Sequence, residues 1–296
     1  MDLYSLPALS VLSDTVSIIE KDALKIVRII SGKARAAIAL HGGHVMSYQP
    51  SDQPDVIWMS EAAILDGKAA IRGGVPVCWP WFGGLASPSH GFARTSEWQL
   101  IEHRENENGV VVCLGLNDSQ QTRDIWPHQF ELKLYVEVGD QLKITLDMHN
   151  PSEVAWPFSA ALHTYLNVSD ITSVTTSGMG PNYIDKLQDG KTCQGDSELV
   201  LSHAIDRIYT QPSASIHVED KGYERTLKVE NQGHNAAVMW NPWEEGASAM
   251  ADMNDNGYQT MLCVESTVFS PSLESGQLVA AGESHQLITT ITPITA

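Results

Sequence analysis

The stretch FELKLYVEVGDQLKITLDMHN, Phe130 to Asn150, decides the fold. Leu132, Leu134, Val136 and Val138 alternate with Lys133, Tyr135 and Glu137. Beyond the Gly139-Asp140 turn, Leu142, Ile144, Leu146 and Met148 alternate with Lys143, Thr145 and Asp147. Successive side chains of a strand point to opposite faces, so period two on both sides of a Gly-Asp turn predicts a β-hairpin with one face buried. Shorter runs of the same kind are Val16 to Ile19, Leu24 to Ile30, Ala34 to Leu40, Val110 to Leu116, Arg225 to Val229, Ala236 to Trp240, Met261 to Val264 and Gln286 to Ile291. Turn-rich segments such as Gly42-Gly43, Pro50 to Pro54, Asp220 to Gly222 and Asp252 to Gly257 separate them. Apart from a weak helical stripe near Ser60 to Leu65, no apolar pattern of helical period runs to helix length. Many strands without βα alternation predict an all-β sandwich or a many-stranded antiparallel assembly. No linker or fixed-period repeat interrupts the chain, so one domain over residues 1–296 is expected.

The 296 residues include 36 acidic and 18 basic side chains, a net charge of −18. That balance argues against a nucleic-acid groove and a basic membrane-surface patch, both of which need clustered Lys and Arg. Met1 to Asp14 shows no basic segment followed by a long apolar one, and no window approaches the roughly 18 apolar residues of a membrane span. Cys78, Cys113, Cys193 and Cys263 form no C-x-x-C pair, and Cys113 and Cys263 sit in apolar runs where buried, reduced thiols are expected. A cytoplasmic protein follows as the expectation.

Signatures for phosphoryl transfer, dinucleotide redox chemistry and serine hydrolysis are missing, and no cofactor is expected. Three segments place polar residues in apolar surroundings. The run AAIRGGVPVCWPWFGGLASPSHGFARTSEW, ending at Trp98, holds Arg72, His90 and Arg94 among Trp79, Trp81, Phe82 and Phe92. Aromatic rings amid Gly/Pro turns can form a platform for a sugar ring, or can simply fill a core; arginines suit carboxylate or phosphate. In SAALHTYLNV, His163 shares a face with Ala161 and Tyr165. In MLCVESTV, Glu265 shares a face with Met261 and Cys263. A carboxylate so placed loses hydration, which raises its pKa unless a partner offsets the loss, and such groups cluster at catalytic sites. His41 and His44 flank Gly42-Gly43, which reads as a turn rather than a metal site, so no metal is expected.

The ordered motifs RGGVPVCWPWFG, HGFARTSEW, LHTYLNV, AIDRIY, WNPW and MLCVES together resemble the D-hexose-6-phosphate mutarotases, or glucose-6-phosphate 1-epimerases, of the aldose 1-epimerase group. The likeness spans roughly Gly42 to Thr290. It implies a galactose-mutarotase-like antiparallel β-supersandwich. It also implies that His163 and Glu265 are the catalytic pair, that Arg72 and Arg94 contact phosphate, and that Asp206 meets a sugar hydroxyl. His90 heads the second motif as a further substrate contact, preceded by Ser89 where some members carry Gln.

Anomer exchange requires a base to take the proton from the C1 hydroxyl and an acid to protonate the ring oxygen, so an imidazole and a carboxylate suffice. A chain of charge −18 repels a hexose phosphate at long range, which makes a local arginine clamp necessary. The expected partner is a small sugar phosphate, and a monomer is expected. The rivals are a non-catalytic carbohydrate-binding sandwich, an aldose 1-epimerase for neutral sugars, and a lyase or hydrolase for which Asp206 is the sole second acid in view.

Overall fold

The computed structural model describes residues 2–295. The hairpin at the centre of the chain forms as its alternation predicts. Glu131–Gly139 pairs with Leu142–His149, Leu134 opposite Leu146 and Val136 opposite Ile144. The even-numbered apolar residues of both strands are buried while Lys133 and Glu131 are exposed.

This hairpin lies within a nine-stranded antiparallel sheet, whose strands run in the order Glu198–Leu199, Val174–Ser177, Ser215–Asp220, Arg225–Gln232, Ser284–Thr295, Leu142–His149, Glu131–Gly139, Gly109–Asn117 and Gln99–Asn106. A second sheet of eight strands is built around Met261–Val268. Ala236–Asn241 pairs along one of its edges; Ala160–Leu162 and Tyr165–Asn167 share the other. Ile205–Tyr209 lies beyond Ala236–Asn241. A five-stranded sheet, Ser10–Val11 to His44–Pro50 in sequence order, completes the frame.

One continuous core fills the space between the sheets. Leu134, Val136, Ile144, Leu146 and Leu287 from the nine-stranded sheet pack in the same cluster as Leu162, Leu262, Val264 and Met239 from the eight-stranded one. At about 25 cal/mol per Å² of apolar surface withdrawn from water, this is the main stabilising contribution.

The sequence stripe at Ser60 to Leu65 does not become a helix. Ser60 spends its hydroxyl on the Ala62 N–H and the Asp252 carbonyl, leaving a single turn before Asp66 accepts from Lys68 and Ala69. The two α-helices among the described residues, Gln120–Ile125 and Trp243–Ser248, are six residues each, too short to show a helical period in the sequence. Among the described residues no helix is long and apolar enough to cross a membrane.

Candidate active site

The eight-stranded sheet has one face on the core and the other on the site. Along Met261–Val268, Leu262, Val264 and Val268 go to the core, which leaves Cys263 and Glu265 on the opposite face. Register carries that face across the sheet. Val238 stands opposite Glu265, Trp240 opposite Cys263, and Asp206 opposite Trp240.

On the other side Leu162 pairs with Ser266 and Tyr165 with Cys263, so His163 falls directly across from Glu265. The strand is interrupted at that point: His163 N–H donates to the Pro76 carbonyl rather than to Glu265's strand, and Thr164 N–H turns back to the Leu162 carbonyl. His163 Nε2 lies 3.4 Å from Glu265 Oε1, with the two side chains 12% and 1% exposed. Neither Nδ1 of His163 nor Oε2 of Glu265 has a protein partner.

Burial drives the pair's proton affinities apart. Loss of hydration pushes the Glu265 carboxyl well above the usual range, and the Asp206 carboxylate adds to this. Loss of hydration also pushes the His163 imidazole well below its ordinary value, reinforced by His90, Arg94 and Arg72. Burial thus favours the neutral form of each group. Asp206, too, is raised, chiefly by burial.

Glycines bring Arg72 and His90 to this face. Gly73, at φ +98°, would set a Cβ 2.6 Å from the Trp58 carbonyl, and a Cβ on Gly74, at φ +68°, would run into His44 Nε2. No other residue fits that double approach without strain. Arg72 emerges from it with Nε donating to Asp252 Oδ1 at 3.1 Å and a second N–H donating to the Tyr165 hydroxyl at 3.0 Å. His90 itself sits at φ +64°. Its Nδ1 accepts the Gly83 N–H, so the proton of the neutral ring is on Nε2. Burial lowers the His90 pKa to about 4. Its ring stands edge-on to His163, with centroids 5.8 Å apart. Arg94 donates to the Ser89 carbonyl at 2.9 Å, and the Ser89 side chain is exposed.

Most aromatics of the Gly/Pro-rich run are not a platform. Trp79, Trp81 and Phe92 are buried in the main core, where Trp79 meets Phe92, Trp126, Phe130 and Trp156 edge to face. Phe82 alone of the four reaches the site, against His90. The walls come from residues that the sequence had not singled out for this role. Tyr165 is stacked on His163 at 4.9 Å and 13°, and Trp240 meets both rings edge-on. Tyr165 was legible as sharing a face with His163. Asp252 lies in a turn-rich segment and carried no signal.

His163, Cys263 and Glu265 offer donor atoms all within 4.8 Å of one another. A metal there would have to displace the proton of a thiol that burial pushes well up, beside two guanidiniums that repel a cation. A cavity of about 760 Å³ lies elsewhere, lined in part by Tyr4, Ser47, Asp55, Asn167 and Thr260. Tyr4 bonds Ser47, Ser47 bonds Asp55, and Asn167 bonds the Asp55 carbonyl, so these groups satisfy one another rather than facing a ligand.

An antiparallel β-sandwich of this kind serves several classes of carbohydrate protein, and the comparisons identify which. Residues 25–292 match the family described as aldose 1-epimerase, and the chain belongs to that family. It is 37% identical over 272 residues to an Escherichia coli K12 protein provisionally named glucose-6-phosphate 1-epimerase, covering 90% of this chain and 91% of that one. A Salmonella typhimurium structure, provisionally described as a mutarotase, superposes with a TM-score of 0.93 at 34% identity, covering 99% of this chain and 98% of that one. A galactose mutarotase related enzyme from Lactobacillus acidophilus shares the fold, with a TM-score of 0.73 at 15% identity over 91% of this chain and 97% of that one. The protein is an epimerase, in the isomerase class, with a galactose-mutarotase-like antiparallel β-sandwich.

Proposed function

We propose that the protein interconverts the α and β anomers of a hexose 6-phosphate, glucose 6-phosphate in the first instance. The observation that carries this is the buried His163–Glu265 pair placed beside two arginines. In the ring-opening direction Glu265, as carboxylate, takes the proton of the C1 hydroxyl. His163, as imidazolium, gives a proton to the ring oxygen. The C1–O5 bond breaks as the C1=O1 bond forms, leaving an open aldehyde, a protonated Glu265 and a neutral His163. Rotation about C1–C2 and the reverse transfers close the other anomer.

The step starts from the charged pair, which the substrate's hydroxyls must stabilise on binding, and runs toward the neutral pair. Burial disfavours the separated charges of carboxylate and imidazolium and favours the neutral arrangement that accompanies the open-chain intermediate. Each proton-transfer group typically contributes ~10²–10⁴-fold. Arg72 and Arg94 would hold the 6-phosphate, and Asp206 and His90 would meet ring hydroxyls; Ser89 would contribute through the carbonyl that anchors Arg94. The reaction calls for no metal or cofactor. The chain as a whole would act as one domain and as a monomer. Its four cysteines are free thiols, which suits the cytoplasm.

The test is anomer exchange followed by NMR after adding enzyme to freshly dissolved glucose 6-phosphate, galactose 6-phosphate and free glucose. Selective acceleration of the phosphorylated sugars is expected. Equal acceleration of free glucose would make the protein a neutral aldose 1-epimerase. No acceleration of any of the three would leave a binding sandwich.

A further inference from the structure

We propose that Tyr165 is a positioning residue that holds Arg72 for the substrate's anionic group and His163 for its reacting ring atoms at the same time. This deepens the hexose 6-phosphate reading and rests on it. Tyr165 is 2% exposed, and two independent contacts fix it. Its hydroxyl accepts from Arg72 at 3.0 Å, while its ring stacks on the His163 imidazole, at 4.9 Å and 13°, and on the Trp58 indole, at 5.8 Å and 18°. Trp58 is pinned in turn by its indole N–H on Thr260 Oγ1 at 3.0 Å. The phenol ring thus contacts the imidazole while its other stacking partner is itself anchored.

Asp252 completes the arrangement from the far side of the guanidinium. It accepts from Arg72 Nε at 3.1 Å, and its own backbone is tied by the Ser60 hydroxyl at 2.7 Å. Arg72 thus keeps two N–H groups on protein and presents the rest of its planar fork in a fixed plane. Burial also pushes the Tyr165 phenol far above its ordinary value. The hydroxyl is therefore neutral and orients the guanidinium without cancelling its charge. One side chain joins the anion-binding end of the site to the proton-transfer end. Binding energy from a remote phosphate can in this way be expressed as orientation at C1.

Two substitutions separate the two contacts. Tyr165→Phe keeps the ring stack and removes the acceptor. Its kcat/KM for glucose 6-phosphate should fall ~10-fold or more, mostly through KM, and by clearly more than its kcat/KM for free glucose. Calorimetric titration with inorganic phosphate should show a weakening of similar size. Tyr165→Leu removes the stack, and its kcat should fall for both sugars. An unchanged substrate ratio and phosphate affinity in Tyr165→Phe would overturn the hold on Arg72. An unchanged free-glucose kcat in Tyr165→Leu would overturn the hold on His163. If that variant does not fold, Tyr165→Met, which also lacks the aromatic face, takes its place in testing the hold on His163, while Tyr165→Phe decides the hold on Arg72. Arg72→Ala measured alongside tells the two failures apart. If it shifts the substrate ratio and Tyr165→Phe does not, only the positioning role fails; if neither shifts it, the hexose phosphate reading fails as well.

Discussion

Nε2 of His163 lies 3.4 Å from Oε1 of Glu265 across adjacent strands, and neither group's other polar atom has a protein partner. Under the proposed chemistry it is the unpartnered Oε2 that a substrate hydroxyl would meet. Glu265→Gln keeps the volume and hydrogen-bonding capacity of the side chain but removes its basicity. Catalysed anomer exchange should fall by ~10² or more, with little change in the affinity for glucose 6-phosphate. Near-normal exchange in this variant would remove Glu265 from the chemistry.

The same pair predicts an unusual pH profile. The active form carries one proton between two groups. It is lost at low pH only when a second proton is forced onto an imidazole that burial has pushed well down. At high pH it is lost only when the proton leaves a carboxyl that burial has pushed well up. The kcat for free glucose, whose ionisation does not intrude, should therefore be flat through the region near pH 6.5 where an ordinary histidine titrates. A clear inflection there would show that a solvated histidine controls the rate.

Much of this geometry was legible in the sequence, for a physical reason. Where a strand has one face on a core, alternation marks both its existence and its facing. That is why the 130–150 hairpin and the shared face of Cys263 and Glu265 could be read directly. The pairing of His163 with Glu265 came only through the family resemblance, not from the local pattern. It depends on the register between strands about a hundred residues apart, which no local pattern encodes. The Trp79 and Trp81 rings were ambiguous because a large aromatic serves a core and a sugar platform equally well; only the packing decides, and it places both in the core. Asp252 was invisible because a lone carboxylate in a turn looks like any solvated one until its partner is known.

Selectivity for the phosphorylated sugar should depend on Arg72 and Arg94 separately. Each lost charged hydrogen bond costs on the order of 1.5–3 kcal/mol, roughly 10- to 150-fold in kcat/KM for the hexose 6-phosphate. Free glucose makes no such contact, so its turnover should change much less than that of the phosphate in Arg72→Ala or Arg94→Ala, the remaining change reflecting the charges that bear on His163. The ratio of the two substrates is the informative quantity, because misfolding would lower both rates together. If the ratio is unmoved in both variants, the arginines serve the architecture and the substrate is a neutral sugar.

Asp55 sets a pH dependence of stability that is separate from catalysis. Burial raises its carboxyl from 3.8 to about 6, against the opposing pull of hydrogen bonds from Ser47, Ile57 and Tyr48 and the charge of Arg225. Between those two values the folded protein holds a proton that the unfolded chain has released. Its contribution to stability is therefore full below about pH 3.8 and lost as pH rises to about 6, a change of at most about 3 kcal/mol. Asp55→Asn keeps an acceptor for the two backbone N–H groups while removing the ionisation. The melting temperature of the variant relative to the parent should rise between pH 4 and pH 7.5, by several degrees at most for a chain of this size. A difference that stays constant across that range would mean that Asp55 is ionised in the folded protein throughout, its buried charge carried by the donors around it.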